Sequence, residues 1–383
     1  MLQQQEAQEM PVHCRLTLVI PGMSLGGAER VLSRLANCWA TAGVPVTLIT
    51  LDTADNDTYQ LHAEIKRVGL DVMHDSSGIW EAIRLNRERV RKLRAAILES
   101  SPDCVISFTD IMNTLTLMAC KQSHLPVIIS ERADPRQQPI KKVWKFLKQR
   151  HYPHAAALVV QTKSVAEYFK PLMNDCPIVV IPNMVMPPGA GSTEMSESST
   201  KTLLAMGRLA HEKGFDLLIQ AFAQFADRTP EWNLKILGEG DLRQPLQQQI
   251  DGSGLSARIQ LAGWDSSPDR ALCQAGIFVL SSRHEGFPNA LLEAMSHGLP
   301  VIAFDCESGP RAIVVHEQNG YLVEDGNVSA LAAAMEQLMN DAACRNKLGT
   351  AARQVVEKYD QTNILQKWNQ VIRQAMKSRQ QDL

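Results

Sequence analysis

The sequence predicts an α/β fold of two Rossmann-like domains, each built on a parallel sheet. Three observations predict it. Short apolar runs alternate with longer runs of helical period along nearly the whole chain, the pattern of βαβ units. One stretch rich in Pro, Gly and Ser interrupts that alternation near the middle. The length, 383 residues, suits two domains of roughly 100–200 residues each.

The elements follow in order. Arg15–Ile20 reads as a strand, Ala28–Ala40 as a helix and Pro45–Leu51 as the next strand. Arg84–Glu99 has helical spacing, and Ile111–Cys120 is helical between strands Cys104–Phe108 and Pro126–Ser130. Leu158–Gln161 and Ile178–Ile181 close the first half. The alternation restarts with strands Thr202–Met206, Leu234–Leu237, Arg258–Leu261, Ile277–Ser281, Val301–Phe304 and Gly320–Val323. Helices are predicted at Phe215–Ala226, Asp241–Ile250, Asn289–His297, Val328–Asn340, Asp341–Tyr359 and Asn363–Lys377. The resulting division is an N-terminal domain at 1–183, a linker at 184–201 and a C-terminal domain at 202–360. A final helix at 361–383 is expected to pack back on the first domain. Two such domains leave a cleft between parallel sheets, where ligands commonly bind.

Composition removes several classes. With 45% hydrophobic and 21% charged residues, the chain can bury ordinary cores. Net charge is −2, divided as +3 over residues 1–183 and −5 over the remainder, so no polyelectrolyte partner is implied. No basic patch with interleaved aromatics marks the predicted cleft, which disfavours nucleic acid. The eight cysteines form no Cys-x-x-Cys pair and read as buried thiols in a reducing compartment. The polar start Met1–Glu9 lacks the features of a signal peptide, and no run of 18 apolar residues occurs. A cytoplasmic or peripheral location is expected.

The densest chemistry lies in Arg283–Ile302. Gly286 permits a tight turn with close backbone approach to a ligand. Pro288 suits the first turn of the next helix, whose start presents free N–H groups and a positive dipole end. Glu285 stands ahead of that helix and Glu293 just over one turn inside it. Each carboxylate can accept hydrogen bonds from neighbouring hydroxyls of a polyol. A second cluster, Met206–Gly214, follows a strand and opens a helix. There Arg208 can fork two phosphate oxygens and Lys213 adds a point charge, a set able to neutralise a diphosphate without a metal.

Gly207-Arg208…Lys213-Gly214 followed by Glu285-Gly286-Phe287-Pro288…Glu293-Ala294-Met295…Gly298-Leu299-Pro300-Val301 resembles glycosyltransferase family 4, whose members are retaining enzymes of the GT-B fold. The resemblance runs from about Arg15 to Lys367. It implies that Arg208 and Lys213 bind the diphosphate of a nucleotide-sugar donor. Glu285 with the backbone of Gly286, Phe287 and Pro288 would hold the donor sugar, and Glu293 the ribose. The base would stack near the Arg258–Trp264 strand end. The loop Pro21–Arg30 lacks Gly-x-Gly-x-x-Gly spacing, so it is a poor dinucleotide loop. By resemblance, Gly26 and Gly27 lie near the donor phosphates. Many relatives carry a His that touches the donor sugar at the end of the strand that here reads Pro126–Ser130. Arg132 takes that slot, beside Glu131, as in the branch that builds exopolysaccharide and lipopolysaccharide, amylovoran-type galactosyltransferases included. Asp110 is expected on the same side. Glu285, Arg208, Lys213 and Arg132 are therefore the expected catalytic set.

The resemblance further implies a UDP-sugar donor, a glycan acceptor and no metal. Asp55-Asn56-Asp57 mimics the metal motif of GT-A enzymes but reads as a solvated loop. A basic amphipathic segment with Lys141, Lys142, Lys145, Lys148 and Arg150, and a stripe of Arg84, Arg87, Arg91 and Arg94, suggest docking to an anionic membrane that carries the acceptor. Two other functions fit the same residues: a GT-B sugar-nucleotide epimerase and a non-catalytic nucleotide-sugar scaffold.

Overall fold

The computed structural model describes residues 14–24, 26–74, 77–137, 140–186 and 201–381. Of the expected linker, residues 187–200 lie outside these, as do the polar start Met1–Glu9 and Leu25 of the glycine loop. The chain divides into two compact units, Met1–Asn183 with Thr362–Leu383, and Met184–Gln361.

The first unit carries strands β1 (Leu16–Ile20), β2 (Val46–Thr50), β3 (Lys66–Gly69), β4 (Cys104–Phe108), β5 (Val127–Ser130), β6 (Ala157–Val160) and β7 (Ile178–Val180). Its helices are α1 (Gly27–Thr41), α2 (Ile79–Glu99), α3 (Asp110–Cys120), α4 (Lys142–His151) and α5 (Lys163–Met173). The strands form one sheet in the order β3-β2-β1-β4-β5-β6-β7, and every pairing is parallel. Strands β1, β2 and β4 are buried along their whole length, which is why they read as unbroken apolar runs. Strand β3 was not expected. Its sequence, Lys-Arg-Val-Gly, has no apolar run because it is a half-exposed edge strand.

The second unit repeats the plan with β8 (Thr202–Met206), β9 (Asn233–Leu237), β10 (Ile259–Gly263), β11 (Ile277–Leu280), β12 (Val301–Phe304) and β13 (Tyr321–Val323). Their order is β10-β9-β8-β11-β12-β13, again all parallel. Helices α6 (Phe215–Ala223), α7 (Arg243–Gly252), α8 (Asp269–Gln274), α9 (Asn289–Ser296), α10 (Val328–Asn340), α11 (Ala342–Arg353) and α12 (Val355–Tyr359) cover it. Alternate residues of each strand enter opposite cores. Leu203, Ile277, Val279, Ile302 and Phe304 face one core; Leu204, Phe278, Leu280, Val301 and Ala303 face the other. The helix expected over Asp341–Tyr359 is two helices, broken at Gln354.

The last helix, α13 (Gln361–Gln381), has its buried side chains in the first unit. Trp368 lies edge-on to Trp39 of α1 at 6.3 Å and stacks on Phe108 of β4 at 5.9 Å. The Trp39 indole N–H donates to Asn369 Oδ1 at 3.0 Å. Indole and phenyl burial of this kind dominates local stability.

Candidate functional site

In each unit the strand order turns outward in both directions from the first strand. A crevice forms at that switch, beyond the carboxyl ends of the central strands, where ligands of such sheets bind. In the second unit the switch lies between β8 and β11.

Four loops converge there. The loop after β8 is stitched to the loop after β9, because Leu209 N–H donates to Glu239 O at 2.8 Å and Leu242 N–H to Leu209 O at 3.0 Å. It is joined to the loop after β11 by Ser281 Oγ, which donates to Lys213 O at 3.0 Å, and by Arg283 N–H, which donates to Glu212 O at 2.9 Å. The loop after β12 joins through Ser308 Oγ, a donor to the Glu285 carbonyl. Glycines make these approaches feasible. At Gly214 (φ +61) an added Cβ would fall 2.0 Å from Ser281 O, and at Gly238 (φ +146) 1.8 Å from Gly207 O. Both combine a conformation that L side chains avoid with backbone contact.

At the centre, Lys213 Nζ lies 2.7 Å from Glu285 Oε1, which also accepts from Ser282 Oγ at 2.7 Å. The Glu285 side chain is only 8% exposed. A buried carboxylate requires compensation, and Lys213 supplies it across 72 residues of sequence. Arg208 behaves differently. It is 69% exposed and pairs with Glu212 at 2.6 Å, on the same loop. Pro288 sits at the N-cap of α9, one residue before the position expected, while Phe287 is buried edge-on to Tyr359 at 5.8 Å. The Tyr359 hydroxyl donates to Ala312 O at 2.8 Å, so α12 braces the loop that carries Gly286. Glu293 is buried on α9, one turn ahead of His297, whose Nδ1 lies 2.9 Å from Glu293 O. Trp264 is exposed directly beyond the carboxyl end of β10; Arg258 lies at the opposite end, bonded to the carbonyls of Trp232 and Thr229.

Sequence reasoning missed Ser282, Ser308, Gly309 and the Gly238–Gly240 turn. The Leu237-Gly-Glu-Gly run was the available signal for the last. The other three are recognised only by their contacts with Glu285 and its loop.

In the first unit, Gly26 caps α1, and the Tyr59 hydroxyl donates to Gly26 O at 3.0 Å. Gly27 opens the helix. Asp110 opens α3, its Oδ1 accepting from Ile111 N–H at 2.6 Å. Arg132, two residues beyond β5, lies over the Phe108 ring at 4.6 Å. Glu131 turns inward to Tyr152 Oη at 2.6 Å and Lys148 Nζ at 2.5 Å. Burial, then the Glu131 charge, push the Tyr152 phenol well above its ordinary range.

This corrects the expectation for Lys148. It is buried, paired with Glu131 and over the rings of Tyr152 and Phe169, so it cannot meet a surface. Lys141, Lys142, Lys145 and Arg150 are exposed. Arg94 also leaves the expected stripe, being half-buried beside Ala119 O. Asp57 is not a solvated loop residue either: both its oxygens take the Arg67 fork at 2.7 Å.

Two Rossmann-like units, the second with a lysine–carboxylate pair where four loops meet, define the architecture of the GT-B glycosyltransferases. The comparisons agree. Residues 25–187 match the family model for Glycosyltransferase Family 4, and residues 194–355 match that for Glycosyl transferases group 1. An α-1,4-N-acetyl-D-galactosaminyltransferase of Campylobacter jejuni, named for a diNAcBac-PP-undecaprenol-linked GalNAc substrate, is 27% identical over 94% of this chain and 98% of its own. The lipopolysaccharide core biosynthesis glycosyltransferase LpsE of Rhizobium meliloti is 27% identical over 84% of this chain and 88% of its own. A crystal structure of a TarM mutant of S. aureus with Fondaparinux, alpha-GlcNAc-glycerol and UDP superposes with a TM-score of 0.77 at 15% identity, covering 94% of this chain and all of that one. The chain belongs to glycosyltransferase family 4 and is a hexosyltransferase of that family.

Proposed function

We propose that this protein is a retaining, metal-independent transferase that moves a hexosyl or N-acetylhexosaminyl unit from a UDP-sugar to a hydroxyl of a lipid-linked glycan, in surface polysaccharide or lipopolysaccharide synthesis. The observation that carries this reading is the Lys213–Glu285 pair, 2.7 Å apart at the meeting of four loops. With donor bound, Lys213 turns to the diphosphate and Glu285 is released to accept sugar hydroxyls. Arg208, exposed and paired with Glu212, swings to a second phosphate oxygen. Backbone N–H groups at the start of α9, after Gly286, Phe287 and Pro288, face the same charge. Glu293 holds the ribose and Trp264 stacks the base.

In the reaction the bond from the anomeric carbon to the diphosphate oxygen breaks, and its electron pair leaves with the diphosphate. Lys213, Arg208 and the helix dipole stabilise that developing charge. The acceptor hydroxyl attacks from the same face, and its proton passes to the departing phosphate. Retention rests on family resemblance. UDP and the lipid-linked acceptor are supported by the ligand of the TarM structure and the substrate named for the Campylobacter relative.

A membrane partner is supported by two exposed helix faces. On α4, Phe146 is 65% exposed among Lys141, Lys142, Lys145 and Arg150. At the start of α2, Trp80 is 85% exposed beside Ile79, ahead of Arg84, Arg87 and Arg91. Exposed aromatics flanked by cations suit the interface of an anionic bilayer. Among the described residues no helix is long and apolar enough to cross a membrane.

The test is thermal stabilisation by a panel of nucleotide sugars in EDTA. A native-state ligand at ~100 times its dissociation constant stabilises by about 2.7 kcal/mol. A shift with one UDP-sugar names the donor. UDP release that depends on added acceptor separates transfer from epimerisation and from a scaffold role. No shift with any nucleotide sugar would sink the proposal.

A further inference from the structure

The first unit holds a guanidinium with no counter-charge among the described residues. Arg132 donates to Ser130 Oγ at 3.3 Å and to Asn183 Oδ1, both neutral, and its face rests on Phe108. Its Nε is buried and has no acceptor. Among the described residues no carboxylate pairs with it. The adjacent Glu131 is committed to Lys148 and Tyr152. Burial pushes the Arg132 guanidinium down to about 9, so it stays charged at neutral pH.

An arginine buried for structure looks different. Arg258 of the second unit donates to the carbonyls of Trp232, Thr229 and Ala226. Arg67 forks Asp57. Arg132 is half-buried with its Nε fully enclosed and has no compensating carboxylate among the described residues, and a charge so placed is destabilising. Yet it is held firmly. Trp368 of α13 stacks on Phe108, and Phe108 stacks on Arg132, so the end of the chain backs the guanidinium through two aromatic layers. The neighbouring Thr109 is forced to φ +75, strain of a kind that collects at functional sites. The carboxyl ends of β4, β5 and β7 thus supply Phe108, Arg132 and Asn183 to one point on the sheet edge.

We propose that Arg132 is an anion receptor, preorganised by the Trp368–Phe108 stack to take a phosphate or carboxylate group of a substrate. Each Nη spends one N–H on a neutral acceptor and keeps a second, so the planar guanidinium still has two donors to match two oxyanion oxygens. In the transfer reaction, on the reading given above, this group belongs to the acceptor; the donor diphosphate is the other source with the same chemistry.

The experiment uses the full chain as wild type, Arg132→Gln and Arg132→Lys. Thermal unfolding is followed with and without inorganic pyrophosphate, with UDP in excess throughout to fill a nucleotide site. Without pyrophosphate, Arg132→Gln melts above the wild type, because an uncompensated charge is gone. Pyrophosphate raises the wild-type melting temperature, raises that of Arg132→Lys less and leaves Arg132→Gln unmoved, an affinity loss of about tenfold or more. The UDP dissociation constant, measured separately, assigns the source. A change within about twofold puts the anion on the acceptor, and a weakening of about tenfold puts it on the donor. Equal pyrophosphate shifts in all three proteins, absent shifts included, with unchanged UDP affinity overturn the proposal. An Arg132→Gln chain too unstable to fold marks the arginine as structural and overturns it as well. If UDP binds none of the three, the UDP assignment fails while the pyrophosphate comparison still reads Arg132.

Discussion

The two units share a strand order and a parallel sheet, and each brings a cation to its carboxyl edge. They differ in what that cation rests on. In the second unit Lys213 rests on a carboxylate, Glu285, and the two charges compensate each other at 2.7 Å. In the first, Arg132 rests on an aromatic ring and two neutral oxygens. A neutralised pair is stable when empty, but must be parted when an anion arrives. An uncompensated guanidinium is costly when empty and ready when an anion arrives. The same backbone plan therefore supports two ways of keeping a positive charge at a sheet edge.

The comparison can be broken most forcefully at Trp368. Trp368→Ala should destabilise the protein by about 3–5 kcal/mol, the range for large core aromatics, measured by urea unfolding, and leave UDP affinity near wild type. A large loss of UDP affinity would put the anion held by Arg132 on the donor. Next in size is Glu285→Gln, for which transfer should fall by about 10²–10³-fold, the scale for losing one preorganised polar group of an active site. Circular dichroism should show the fold retained. Activity within threefold of wild type would remove Glu285 from the reaction. Glu293→Gln should weaken UDP binding about tenfold, the worth of one charged hydrogen bond, by calorimetric titration; unchanged affinity would take the ribose role away.

The smallest effect concerns pH. The Arg283 fork on Asp216, at 2.8 and 2.6 Å, holds the Asp216 carboxyl below its ordinary value. A depressed folded pKa stabilises above the unfolded value and loses that contribution as pH falls through the folded one. Asp216→Asn should therefore lower stability at neutral pH by up to about 1 kcal/mol and converge with wild type in acid, below the ordinary aspartate range. Parallel curves across that range would show that the pair contributes nothing.

Much of this was legible in the sequence for a physical reason. Strands such as Cys104–Phe108 and Val301–Phe304 are buried on both faces, so they must be apolar throughout, and their limits were read to the residue. Loop chemistry was legible where a residue type has few other uses, as in Pro288 at a helix start. Edge strand β3 was not, since half-exposed positions impose no pattern.

By itself, then, the sequence determined the two parallel sheets, their order along the chain and the residues available to a donor site, because periodicity and turn chemistry are local. Only the tertiary structure decided which charges meet. Lys213 and Glu285 are 72 residues apart and in contact; Arg208, five residues from Lys213, is turned to Glu212. Lys148 reads as one more surface cation until Glu131 is seen to bury it, and Arg132, singled out by resemblance, gave no sign in the sequence that its side chain rests on a ring and two neutral oxygens. Compensation of charge depends on distance and burial across the fold, and neither is written in the spacing of residues along the chain.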